Sequence, residues 1–396
     1  MNRIFLFVLS VSTVWSMNAQ NSLPRVFLLD AATISRVRES IRAGNTEFTL
    51  ALQKLKKDAE KALKQVPISV MDKKQTPPTG DKHDYMSLAP YWWPDPQKPD
   101  GLPYIRRDGE VNPERAECTD RDNIRTLVSS VYTLSLAYYL TENESYAKHA
   151  VAMMRVWFLN IDTRMNPNLN FGQAVKGRNE GRGAGLIEAS GFRNIVDAIG
   201  LLEGSEAWTA SDRRGMEKWF DEYFVWLRSS NVGLDEWDSK NNHGTWYDVQ
   251  AAAIAFFLGK NDTAYTILID GKRRIASQIE PDGRMPLELV RTKALGYTTM
   301  NLDAFFSLAT LAKRVGIDLW NFETGDGRSL RRALDWVFPY WSEGKSWPYK
   351  QIIPFDREES YPLLAQAATQ FKEKKFVQAA KTIPSADRSR ILYGTK

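Results

Sequence analysis

Cysteine is almost missing from this chain: Cys118 is the only one in 396 residues, so no intramolecular disulfide can form and packing alone must hold the fold. Histidine is scarce too, at three residues. There is no His-Glu-x-x-His, no paired Cys and no Gly-x-Ser-x-Gly, which disfavours zinc hydrolysis and serine-type acyl transfer. No ligand cluster calls for a metal or another cofactor. Runs of one charge are also lacking. The formal charge of +5 and pI near 9.0 come from Lys and Arg scattered among Asp and Glu, a pattern that argues against a nucleic-acid arm and favours an acidic ligand only weakly. The one apolar run near the start, Ile4 to Val14, follows Arg3 and precedes a polar exit at Met17-Asn18-Ala19-Gln20. It is too short to span a bilayer and has the layout of a secretory signal peptide over residues 1–19. The expectation is an exported protein, periplasmic or secreted, without membrane insertion. Nothing in the sequence speaks to oligomeric state.

What is present suffices for a large core, with 43% hydrophobic and 12% aromatic residues, and residues 20–396 are expected to form a single domain. From about Leu127 onward, apolar residues recur at three- and four-residue spacing between short polar turns. This spacing predicts helical hairpins from Thr126–Leu140 with Ser145–Phe158, Leu186–Leu202 with Asp212–Leu227, Thr245–Leu258 with Thr263–Ile279, and Met300–Val315 with Ser329–Val337. A last helix is expected over Tyr361–Gln370, and two more upstream over Ala31–Ala43 and Thr46–Leu63. Helix pairs at intervals of roughly fifty to sixty residues, without strand alternation, point to an all-α fold, an α/α toroid of hairpins around a central cleft. Residues 67–113 are too rich in Pro for regular helix and form a long loop of the kind that is usually functional.

The polar residues that stand out fall in a few segments. Asn241-Asn242-His243-Gly244-Thr245-Trp246-Tyr247 opens a helix whose apolar stripe includes Val249, Ala252, Ala253, Phe256 and Phe257. A helix N-terminus favours a bound carboxylate and a neutral imidazole nearby; a plain cap and turn is the alternative for Asn242 and His243. Arg291 and Tyr297 are six apart, about 240° around a continuous helix. If both face one cleft, Arg291 lies in a loop and Tyr297 at the entry of the next helix, with Gly296 as the break. Glu236 lies seven residues before His243 and shares its segment with Asp235 and Asp238; crowding of the three predicts that one is held protonated, able to donate to an anionic ligand. An exposed acidic turn is the alternative for all three.

Thirteen tryptophans and fifteen tyrosines are many. Trp92, Trp93, Trp246 and Tyr247 cluster with the polar candidates, and flat aromatic faces beside hydrogen-bonding groups suit sugar rings. Tyr85, next to His83 in the aromatic loop, joins that set. Arg178, Asn179, Glu180 and Arg182 form a glycine-rich approach to the helix near Leu186, expected to face substrate; it lacks the Walker spacing of a phosphate loop. His149 falls inside a helix and fits a packed or surface position.

Ser87-Leu-Ala-Pro-Tyr-Trp-Trp-Pro-Asp-Pro, Asn112-Pro-Glu, Asn241-Asn-His-Gly-Thr-Trp-Tyr-Asp and the Arg291–Tyr297 element together resemble the alginate lyase superfamily of α/α-toroid polysaccharide lyases, in particular polysaccharide lyase families 5 and 38. The family 5 pattern has a His directly after the Tyr, where Thr298 stands here. The resemblance implies that Asn242, His243 and Arg291 neutralise a uronate carboxylate while Tyr297 handles protons, and that the ligand is an acidic polysaccharide, alginate with mannuronate above all; a protonated Glu236, expected from the acidic cluster above, joins the catalytic set. Three alternatives stay open: a lyase acting on glucuronan, an α/α-barrel glycoside hydrolase using an Asp/Glu pair from Asp235, Glu236 and Asp238, and a non-catalytic periplasmic sugar-binding protein.

Overall fold

The computed structural model of the protein describes residues 23–383 and 388–394, so the leader expected at residues 1–19 lies outside the described residues. Asp30 caps the first helix, α1 (Ala31–Arg42), by accepting from Thr33 N, and α2 (Thr49–Ala62) follows a short 3-10 turn. The next hairpin is α3 (Asp120–Thr141) and α4 (Glu144–Met154). Glu142, at φ 57°, ends α3, and the Asn143 side chain accepts from Ser145 N to start α4, the local chemistry expected of helix termini. Then come α5 (Phe192–Leu202) and α6 (Ala210–Ser229), the latter opened by a Thr209–Asp212 capping box. Short α7 (Asn231–Trp237) leads into α8 (Asn242–Phe257), followed by α9 (Asn261–Ile269), α10 (Gly271–Gln278) and the single turn α11 (Pro286–Leu289). The chain continues through α12 (Ala294–Lys313), α13 (Leu330–Ser342), α14 (Tyr361–Phe371), α15 (Lys374–Lys381) and α16 (Arg388–Tyr393).

Helices α3, α5, α8, α12 and α14 touch in succession, while α4, α9, α13 and α15 lie against α3, α8, α12 and α14 respectively. The circuit returns on itself because α16 packs on both α14 and α2, and α2 on α3. This is the α/α toroid, and one contiguous buried cluster runs through it from Val26 to Ile391. No helix among the described residues is long and apolar enough to cross a membrane.

Four expectations differ from what is observed. The helix expected over Leu186–Leu202 begins only at Phe192, as α5, after the 3-10 segment Gly183–Ala189. Instead of a single helix over Thr263–Ile279 there are two, α9 and α10, parted at Asp270-Gly271, residues of low helix propensity; a Cβ on Gly271 would lie 2.8 Å from Leu319 and 2.9 Å from Leu308. Tyr361–Phe371 is not the last helix. The apolar positions of α15, Phe376, Ala379 and Ala380, are buried among lysines that mask the pattern. Finally, α8 carries no one-sided stripe: it is buried on every face, as α12 very nearly is, which marks both as inner helices of the ring.

The long loop is pinned at several points. Short strands β1 (Met86–Leu88) and β2 (Trp92–Trp93) pair respectively with β4 (Phe171–Ala174), in parallel, and with β3 (Ile105–Arg106), antiparallel. Lys73 Nζ sits 3.0 Å from the Asp120 carboxylate, both side chains fully buried, and Asp120 also accepts from Met86 N. Below the cleft, Arg274 donates to Asp248 through Nε (2.5 Å) and Nη2 (3.1 Å) and to the carbonyls of Trp237 and Ser239 (2.8 Å each). Removing one partner of such a buried pair strands the other charge. Asp248→Ala is therefore expected to lower the unfolding free energy by about 3–5 kcal/mol, read as a shift in the urea midpoint at unchanged slope.

Candidate active site

The turn from α7 into α8 sets the first group of polar side chains. The Asn241 side chain caps α8 by accepting from His243 N (3.2 Å), and the Arg274 bonds to Ser239 and Trp237 hold the approach. Gly244 is required here, since a Cβ would sit 2.1 Å from Ser239 O and 2.2 Å from Arg274 Nη1. His243 Nδ1 lies 2.7 Å from Glu236 Oε1. With Nδ1 donating to that carboxylate, the lone pair falls on Nε2. Glu236 is 1% exposed and stands behind His243, so the direct donation to a ligand expected of it gives way to holding the imidazole. Asp235 and Asp238 turn elsewhere: Asp235 accepts from Gly183 N, and Asp238 pairs with Lys240. No acid/base pair of the hydrolase kind is assembled from these three.

Asn242 is gripped from the other stretch. Its backbone N–H donates to Glu288 Oε1 (2.7 Å) and its amide Nδ2 to Oε2 (2.8 Å). Glu288 is fully buried; burial pushes its carboxyl above the usual range, against the opposing pull of the Asn242 bonds. One Nδ2 hydrogen of Asn242 remains.

The second stretch leaves helix after α11 and re-enters it at Ala294. Arg291 lies in the irregular stretch and Tyr297 in the first turn of α12. The break falls at residues 290–293, and Gly296 is helical, contrary to the expectation that it makes the break; Lys293, at φ −123° and ψ 53°, interrupts the helix instead. Asp108 from the long loop locks this segment: Arg291 Nε and Nη2 donate to it at 3.0 and 2.8 Å, and Thr292 N at 3.0 Å. The next loop residue, Gly109, has φ +79°, and a Cβ there would meet Thr292 Oγ1 at 2.2 Å. Burial works to raise the Asp108 carboxyl, but its bonds to Arg291 and Thr292 prevail and hold it far below the usual range.

The Arg291 guanidinium lies 3.7 Å from the centroid of the Tyr297 ring, and Tyr297 Oη is 3.1 Å from Tyr91 Oη. A cationic neighbour is what brings a phenol down toward neutral pH. The phenol is instead raised well above its ordinary value, first by burial, then by the Tyr91 bond and nearby Asp108, with only Arg291 opposing. The cation faces the ring rather than the oxygen, and Asp108 already offsets its charge.

Asn242, His243, Arg291 and Tyr297 line one cavity of about 670 Å³, together with Tyr91, Trp92, Gln173, Tyr132 and further arginines. Other expected contacts lie elsewhere. Tyr85 is fully buried beneath, donating to Glu188 (2.7 Å). Trp93 donates to Glu110 O under Arg107. Arg178 donates to Tyr104 O, while the Asn179 side chain accepts from Val175 N, so both build an exposed turn. Trp246, 4% exposed, stacks on Arg193, and Tyr247, 5% exposed, donates to Leu227 O away from the cleft. Tyr85, Trp246 and Tyr247 are spent on packing, and Trp93, Arg178 and Asn179 on bonds to their own loop and turn backbone. His83 Nδ1 and His149 Nε2 meet the carbonyls of Arg164 and Gln65. Tyr91, Asp108 and Glu288 were not singled out by sequence. Tyr91 is adjacent to the Trp pair, while nothing in sequence distinguishes the two carboxylates.

A family model described as Alginate lyase matches residues 69–347. The crystal structure of an alginate lyase from Bacteroides ovatus is 40% identical, covering 94% of this chain and all of that one, with a TM-score of 0.90. Alginate lyase A1-III from Sphingomonas species A1 is 16% identical over 90% of this chain and 92% of its own, at TM-score 0.58. A variant of A1-III complexed with a tetrasaccharide gives 16%, 90%, 91% and 0.59. These more distant likenesses are of fold. No curated protein matches the chain.

Displacement of a reacting group by about 1 Å costs about 100-fold in rate. Asp108→Ala, which frees Arg291 and Thr292, is expected to lower kcat by about that factor on whichever polymer the enzyme turns over and, by leaving the largely buried Arg291 charge without its partner, to lower the thermal midpoint as well; an unchanged kcat in the folded variant removes Asp108 from the positioning of Arg291.

Proposed function

This chain belongs to the alginate lyase family and is a polysaccharide lyase, and from that premise we propose that it cleaves a polyuronate, mannuronate-containing alginate above all, by β-elimination, with Tyr297 as acid and base. Asn242, His243 and Arg291 neutralise the carboxylate of the reacting sugar. The observation that carries this reading is the convergence of the four side chains on one cavity. The tetrasaccharide complex of the A1-III variant supports a sugar chain as ligand. The layout of residues 1–19 supports a periplasmic or secreted location.

In the reaction the C5 proton leaves to a base, its electron pair forms the C4=C5 double bond, and the C4–O bond breaks as the departing oxygen takes a proton. The difficulty is the negative charge that gathers on an already anionic carboxylate. Arg291 has Nη1 to offer, Asn242 a second amide hydrogen, and α8 its N-terminal dipole, and donors aimed at developing charge are the strongest lever available. In mannuronate the proton and the leaving oxygen share a face, so Tyr297 serves both steps. It must first ionise, helped by the Arg291 cation over its ring against the burial and the Tyr91 bond that hold its proton. In guluronate the two lie on opposite faces. His243 Nε2, its ring held by Glu236, then takes the proton, and Tyr297 acts as acid in the neutral form that burial favours.

Incubation with polymannuronate, polyguluronate and glucuronan, followed by the ultraviolet absorbance of the unsaturated product, tests the reading; no new absorbance on any polyuronate overturns it. Tyr297→Phe is expected to lose about 10³-fold in kcat, and near wild-type release of unsaturated product takes the phenol out of the mechanism. His243→Ala is expected to lower activity on polymannuronate, where one partner of the carboxylate is lost, and to abolish it on polyguluronate, where the base is lost as well. Because the free enzyme's phenol titrates above the ordinary value of about 10, kcat/KM on polymannuronate is expected to rise with pH past that value. A plateau near neutrality excludes Tyr297 as the base.

A further inference from the structure

Beyond Arg291, five arginines line the same cavity, and they differ in how their charge is met. Arg106 pairs with Asp108 and Arg121 with Glu188, while Arg125 is exposed to solvent. Arg182 and Arg193 have no carboxylate within ion-pair distance among the described residues. Arg182 donates only to Gln173, through Nη2 to the side-chain oxygen at 2.7 Å and Nε to the backbone carbonyl at 3.3 Å. Arg193 donates through Nη1 to Ser190 O at 2.6 Å, and its guanidinium lies 4.1 Å from the centroid of the Trp246 ring.

Both side chains are partly buried, and desolvation depresses both guanidinium pKa values. Charge in such a place is costly unless an anion comes to it. The surroundings also fix each plane in advance: the Gln173 clamp leaves Arg182 Nη1 to donate, and the indole stack leaves Arg193 Nε and Nη2. A planar guanidinium with its fork already oriented matches a carboxylate. The charged groups that act on the two are different. Asp303 acts on Arg193 through space, whereas Arg106, Glu236 and Glu188 act on Arg182. The two also sit on different walls of the cleft: Arg182, just before the 3-10 segment Gly183–Ala189, lies 5.7 Å from the centroid of the Trp92 ring in the long loop, whereas Arg193, in the first turn of α5, stacks on Trp246 of α8.

We propose that Arg182 and Arg193 each receive the carboxylate of a uronate flanking the one that reacts, so that the cleft selects a run of at least three consecutive acidic sugars. This rests on the polyuronate reading above, in which every sugar carries one carboxylate. A polymer whose neighbouring uronates are esterified or replaced by neutral sugars would leave one or both guanidiniums buried and unmatched, which is a mechanism of rejection as well as of binding.

The test combines turnover and binding. For Arg182→Ala and Arg193→Ala, KM on a fully acidic polyuronate is expected to rise about ten-fold each, the loss of one charge-assisted hydrogen-bonded pair, with kcat falling less than KM rises. The salt dependence of KM is expected to flatten, and the preference for fully acidic over partly methyl-esterified polymer to shrink. Arg→Lys at either position is expected to recover the salt dependence but only part of the affinity. Binding of the same polymer is measured in a Tyr297→Phe background, where turnover does not intervene. Should Arg193→Ala fail to fold for want of its stack on Trp246, Arg182→Ala carries the test. Folded Ala variants that bind with unchanged affinity and salt dependence overturn the proposal, whether or not the wild type turns the polymer over. Absence of turnover by the wild type on any polyuronate overturns the reading beneath it.

Discussion

One buried carboxylate joins the two halves of the candidate site. Glu288 belongs to the stretch that carries Arg291 and Tyr297, and it grips Asn242 by both backbone and side chain at the head of α8. A carboxylate accepting two hydrogen bonds in a dry place admits little rotation or slippage. The imidazole of His243 on one side and the guanidinium of Arg291 on the other are thereby held in one frame. The Arg274–Asp248 pair supports that frame from below and the Asp108 latch from above. All three ties cross between segments far apart in the chain.

The long aromatic loop completes the frame. It is pinned by the buried Lys73–Asp120 pair, by Tyr85 and Ser87 donating to Glu188, and by Asp108 on Arg291 and Thr292. Tyr91 and Trp92 reach the cavity from a backbone tied on both sides of them. The loop therefore acts as a fixed wall, and its tie at Gly109 is close enough that a side chain there would part the wall from the site.

The balance of charge follows from this construction. Arg291 is neutralised at its back by Asp108 while Nη1 stays available, Tyr297 is kept in its phenol form by burial, and His243 is oriented by Glu236. Arg182 and Arg193 stay unmatched by any carboxylate in contact among the described residues. A cleft whose resting state holds spare positive charge and a protonated phenol is arranged for an anion to enter before any proton moves.

Much of this was legible in the chain itself. Three- and four-residue periodicity between polar turns located most of the hairpins, and Asn242, His243, Arg291 and Tyr297 stood out by residue type and by resemblance. Side-chain direction was not legible. Tyr85, Trp246 and Tyr247 have the composition of sugar-binding residues, yet they lie in packed layers, and Glu236 stands behind His243. Asp108 and Glu288 look like any other acidic residue until the fold brings them to Arg291 and Asn242. Sequence alone determined the helical periodicity and the supply of chemical groups, because those are local properties of neighbouring residues. Only the tertiary structure decided which carboxylates bind, which aromatics face the cleft and how far the phenol's acidity moves, because burial and contacts between distant segments set all three.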